Sequence, residues 1–184
     1  MKQTAIGSAI LLAMFGILLL FPLTAGFLGS GVHTIDVGAN TTNPWFLKNE
    51  KAKVVLVYFG YVGCTSVCIP ALNELAPLYR AMRRETSDVS FYFVNLNPTQ
   101  DPSWAEPFAR SFHPEFHGIY ADHLQVTRLE KEFNLAVTAD EEMSHSSNLY
   151  MMVRSGSGYE LKRIYTTHPY PASAVLADLK RFAL

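Results

Sequence analysis

The chain has 184 residues, with 15 basic and 16 acidic side chains and a net charge of −1. So even a balance provides no basic field for nucleic acid and no acidic tail. Beyond the first 32 residues, the remaining length suits one domain and is large enough to bury a proper core.

After Lys2 no charged side chain appears until Asp36, and residues 10–21 are apolar apart from one glycine. Such a run is a membrane segment or a signal peptide. Leu23, Thr24 and Ala25 match a cleavage site poorly, so the expectation is an uncleaved N-terminal transmembrane helix within residues 1–32, with the remainder of the chain on the extracytoplasmic side. Residues 33–52 are polar and turn-rich, and read as a tether leading into a domain over 53–184.

Lys53 to Phe59, "KVVLVYF", is a β-branched and aromatic run with the pattern of a central strand buried on both faces. From about Val67 to Glu85, Leu72, Leu75, Leu78, Tyr79 and Met82 recur at helical spacing, with Pro77 as a kink. Arg80, Arg83 and Arg84 fall on this helix and read as its solvated face. Val89 to Leu96 is a second buried strand, followed by the polar loop "NPTQDPS" and a short helix around Trp104 to Phe112. Gly118 to Ala121 is expected to form a short edge strand, after which Asp122 caps a helix carrying Leu124, Leu129 and Phe133. Two strands, Asn148 to Arg154 and Tyr159 to Tyr165, are joined by "SGSG" as a hairpin, and Pro171 to Phe182 closes with a helix. This is the element order of an α/β, thioredoxin-like fold with an inserted helix. In such a fold, a motif at the carboxyl end of the first central strand, where a helix begins, sits at the functional edge.

Both cysteines, Cys64 and Cys68, fall at that edge. A disulfide closing so short a loop would restrict the unfolded chain very little, which argues for chemistry over stapling. Gly60 and Gly63 permit a tight turn, and the helix amino terminus favours a thiolate, a better nucleophile and a better ligand. Thiol–disulfide exchange stays open, although the spacing is not the Cys-x-x-Cys of thioredoxins. Zinc accepts two sulfurs and a nitrogen; soft Cu(I) prefers thiolates. No carboxylate or base is obviously placed for hydrolysis. A purely structural domain needs neither cysteine and explains an exposed pair beside a helix start poorly.

A soft metal needs more than two sulfurs, and six histidines are available. His33 lies in the tether, His113, His117 and His123 flank the inserted helix, and His168 sits beside Pro169 in a loop; all read as surface histidines. His145 differs because its loop, "EEMSHSSN", immediately precedes a buried strand, and it is the ligand candidate, with capping of the strand end as the alternative. Met143 could lend a thioether or simply pack, and Asp140, Glu141 and Glu142 read as a solvated acidic loop.

"YFGYVGCTSVC" followed by the distant "SHSSNLYMM" resembles the Sco/SenC family of membrane-anchored, thioredoxin-fold copper proteins, and the resemblance covers nearly the whole chain after the anchor. It implies that Cys64, Cys68 and His145 bind copper, and that the protein delivers the metal to an oxidase subunit or another copper protein during assembly of the dinuclear copper centre of cytochrome c oxidase. Some members are proposed to act as thiol reductants, so the alternative is a thiol–disulfide oxidoreductase that reduces the cysteines of a copper-protein partner. The chain departs from the family pattern at Thr65 and Ile69, where proline usually follows each cysteine, and at Asn97 and Gln100, where aspartate and arginine are usual. Asp101 is kept; it either supports the metal loop or caps the next helix.

Overall fold

The structure, a computed structural model, describes residues 34–36, 41–135, 137–138, 144–145 and 147–183. All of these belong to the unit His33–Leu184. The expected membrane helix lies outside the described residues, among which no helix is long and apolar enough to cross a membrane.

In chain order the strands are β1 (Thr34–Asp36), β2 (Thr41–Thr42), β3 (Val54–Gly60), β4 (Val89–Asn95), β5 (Phe116–Tyr120), β6 (Val137–Thr138), β7 (Ser144–His145), β8 (Leu149–Ser155) and β9 (Gly158–Tyr165). The helices are α1 (Cys68–Glu85), α2 (Ala105–Arg110), α3 (His123–Phe133) and α4 (Ala172–Ala183). The main sheet runs β1-β9-β8-β3-β4-β5, with β2 also on β9; β6 and β7 pair separately. β3 lies parallel to β4 and antiparallel to β8, and β4 lies parallel to β5.

All seven residues of β3 are buried, because the strand has a neighbour on each side and helices over both faces. Val54, Leu56 and Tyr58 face a core shared with Leu72, Leu75 and Met82 of α1 and with Val175 and Leu179 of α4. Val55, Val57 and Phe59 point the other way, onto Val126, Leu129 and Phe133 of α3. Period-two alternation thus feeds two hydrophobic layers, and each fully buried side chain of this size contributes roughly 1.5–3 kcal/mol. α1 runs on through Pro77. Its apolar stripe covers the sheet, and its last turn carries Arg83 and Arg84, favourably placed at the negative end of the helix dipole.

Asp122 caps α3 as expected: its side chain accepts the Gln125 amide at 2.8 Å while the Gln125 side chain accepts the Asp122 amide at 2.9 Å. The "SGSG" hairpin closes on a tight turn with Gly156 at φ +58°. Two expectations change. Residues 33–52 do not simply lead into the domain: β1 and β2 pair with β9, a 3-10 turn covers Trp45–Leu47, and Leu47 and Ala52 are buried. His113 is not on the surface; it is 8% exposed, its ring packed edge-on to Tyr79 and tilted against Phe116.

Candidate metal centre

β3 delivers the chain to the sheet edge at Gly60, where a side chain would not fit. A Cβ there would lie 2.9 Å from Cys68 Sγ and 3.0 Å from a Phe93 ring carbon. The next turn needs Gly63 in the left-handed region, at φ +85°. The Cys64 amide closes it on the Tyr61 carbonyl at 3.3 Å.

α1 then begins at Cys68 without the usual side-chain cap, since Val67 in the capping position has none to offer. Cys64 does that work. Its Sγ accepts the Cys68 amide at 3.3 Å, and its carbonyl accepts the Ile69 amide at 3.1 Å. The spacing of the pair is explained here: three intervening residues allow the first sulfur to sit over the first turn of the helix that the second cysteine starts. Neither cysteine is in a disulfide, and both are buried, at 3% and 0% exposure, so the expected exposed pair is instead enclosed in the α1 side of the core.

The two sulfurs are unequal. Burial alone would raise the Cys64 thiol, but hydrogen bonds to its sulfur from the Cys68 side chain and from the Cys68 and Val67 amides outweigh that and hold its pKa below the ordinary thiol value. Burial pushes the Cys68 thiol up to about 12, and the neighbouring Cys64 sulfur adds to the rise. The first thiolate therefore forms on Cys64, at the positive end of α1.

The loop after β4 grips this turn through a closed ring of amides. Asn95, fully buried, accepts the Val62 amide at 3.3 Å and donates to Gln100 at 3.1 Å; Gln100 in turn donates to the Val62 carbonyl at 2.8 Å. Asp101 caps the 3-10 turn Pro102–Trp104 by accepting the Ser103 amide at 2.8 Å, which is the capping role of the two considered for it.

His145 is placed by its backbone, paired with Val137 in the β6–β7 ladder; its side chain, Met143 and the acidic residues Asp140, Glu141 and Glu142 lie outside the described residues, as does His33. The chain just beyond His145 is fastened to the cysteine helix. The Ser147 carbonyl accepts from His168 Nε2 at 2.7 Å and from the Tyr170 hydroxyl at 3.0 Å. His168 Nδ1 faces Glu74 of α1 at 3.8 Å, and the Tyr170 amide donates to the same carboxylate. His168 is exposed, as expected, yet it holds the His145 segment in place; nothing in its sequence neighbourhood signals that contact. His123 is exposed too, and His117 is half-buried beside the Tyr92 ring. Among the described residues no group of three or more metal-ligating side chains gathers.

Residues 42–183 match the SCO1/SenC family. The SCO2-like protein of Rickettsia felis is 27% identical over 147 residues, spanning 75% of this chain and 69% of that relative. The copper-bound structure of Bradyrhizobium japonicum ScoI is 27% identical, with a TM-score of 0.58, and the likeness covers 72% of this chain and 86% of that one. BsSco, described as a Sco-family cytochrome c oxidase assembly protein with a disulfide switch, shares the fold at 20% identity and a TM-score of 0.58, over 82% of this chain and 95% of its own.

Proposed function

Because the chain belongs to the SCO1/SenC family, with the match running over most of its length, we propose that it binds copper through Cys64, Cys68 and His145 and hands the metal to a receiving protein in the assembly of the dinuclear copper centre of cytochrome c oxidase. The observation that carries this reading is the pair of reduced, buried cysteines joined by the Cys68 amide on the Cys64 sulfur at 3.3 Å. Two sulfurs already side by side at a helix start form a soft donor set that favours Cu(I). Copper replaces the thiol protons, readily at Cys64 and against a stronger hold at Cys68, so loading requires the reduced pair and releases protons. A single imidazole completing the set leaves room for an incoming ligand of the recipient. His145 supplies it in this reading, and the apolar segment within residues 1–32 tethers the domain outside the cytoplasmic membrane.

The inequality of the two thiols favours a second reading, thiol–disulfide exchange. The Cys64 thiolate attacks a partner disulfide to form a mixed disulfide; Cys68 then closes on Cys64, and the partner leaves as a dithiol, two electrons and two protons richer. One experiment separates the readings: titrate the reduced full chain with Cu(I) in competition with a chelator, for wild type, His145→Ala and, as control, the exposed His123→Ala. The copper reading expects one tightly held equivalent that His145→Ala alone weakens. Equal losses in both variants would remove His145 from the site. No copper affinity, with dithiol exchange intact in His145→Ala, would replace delivery by exchange.

A further inference from the structure

Tyr58 is fully buried on β3, and its hydroxyl makes no hydrogen bond of ordinary geometry. An unpaired buried hydroxyl destabilises the fold, and phenylalanine would fill the same space without that penalty. The ring lies against the cysteine site: the position of a Cβ on Gly60 is 2.9 Å from Cys68 Sγ and 3.2 Å from Tyr58 Cε1, the ring carbon next to the one that bears the hydroxyl. Phe93 stacks on the tyrosine ring with centroids 6.5 Å apart, and Leu56, Leu72 and Leu149 belong to the same apolar cluster as Tyr58 and both cysteines. Tyr58 and Cys68 are both fully enclosed, so bulk water does not solvate a second sulfur anion there.

We propose that Tyr58 is a positioning residue for the metal step, a hydrogen-bond donor held ready for the Cys68 sulfur when that sulfur is a copper-bound thiolate. This rests on the copper reading above. In the reduced, metal-free protein the hydroxyl has no well-formed bond and destabilises; in the loaded protein it donates to an anion that the surrounding aliphatic side chains cannot stabilise. The two states therefore place opposite demands on one oxygen atom, and a variant lacking it separates them.

The test is Tyr58→Phe in the full chain, compared with wild type by three readings. The thermal midpoint of the reduced, metal-free variant should equal or exceed that of wild type. Its Cu(I) affinity, from chelator competition, should fall about tenfold or more, the scale of a hydrogen bond to a charged group. With Cu(II), its thiolate-to-copper charge-transfer band should move to lower energy, because a thiolate without its donor holds its electrons less firmly. Wild-type affinity and an unmoved band in the variant would overturn the inference while leaving the copper reading standing. A lower thermal midpoint would also overturn it, since the hydroxyl would then be bonded already in the metal-free protein. No copper binding by wild type would remove the copper reading itself, and this inference with it.

Discussion

Gln100→Ala tests whether the amide ring holds the cysteine turn. Gln100 makes two of the ring's bonds, to the Val62 carbonyl at 2.8 Å and to the Asn95 side chain at 3.1 Å. The two losses differ in weight. Val62 is half-buried, so water can replace the lost donor there at a net loss of about 0.5–1 kcal/mol. Asn95 is fully buried, and its amide nitrogen would be left without this acceptor, at about 1–3 kcal/mol. The sum, about 1.5–4 kcal/mol, corresponds to roughly 3–16 °C in the thermal midpoint of a domain of about 150 residues. Gln100→Glu separates the two bonds, since a carboxylate still accepts from Asn95 but cannot donate to Val62 and repels its carbonyl. Melting of the reduced protein, followed by Cu(I) competition on each variant, reads both effects, and copper affinity should fall because Val62 lies two residues from Cys64. An alanine variant melting within about 1 °C of wild type, with unchanged copper affinity, would refute the view that this ring sets the turn.

The same geometry sets two further outcomes. Gly60→Ala forces a methyl to within 2.9 Å of Cys68 Sγ and 3.0 Å of Phe93, so it should destabilise by about 1–3 kcal/mol and weaken copper binding, as urea unfolding and metal competition would record. For His113, burial lowers the imidazole pKa, with Arg80 and Arg83 acting in the same sense and Glu115 against it. The unfolded chain then binds the proton more readily, so the stability that neutral His113 gives is complete above the ordinary histidine value, about 6.5, and is lost as pH falls below it. His113→Asn, which keeps an acceptor for the Glu115 amide, should lose less thermal stability than wild type between about pH 7.5 and about pH 5.5.

Contiguous patterns carried most of the fold. The seven-residue run of β3 announces a strand buried on both faces because no polar residue interrupts it, and α1 announces itself through its apolar stripe. Residues 33–52 misled because β1 and β2 are three and two residues long, too short for alternation to register, and their pairing with β9 joins parts of the chain more than a hundred residues apart. His113 misled for a related reason. Its burial comes from Phe116 of β5 and from Tyr79 of α1, which lies far from it in sequence and which its own stretch does not signal.

The cysteine pair shows where such reading stops. Residue type and spacing announce soft-ligand or thiol chemistry, because both cysteines lie in one short stretch at the end of a strand. Which sulfur ionises first is set by contacts the spacing does not encode: the Cys68 side chain and the Cys68 and Val67 amides on the Cys64 sulfur, and the burial of Cys68. Glutamine at position 100, where the resemblance implies arginine, was legible as a departure, but its meaning was not. An arginine could donate to the Val62 carbonyl but has no acceptor for the Asn95 amide, whereas the Gln100 side chain does both. Gln100 and Asn95 therefore act as one unit, and Gln100→Arg alone should break the ring at Asn95 rather than strengthen the turn.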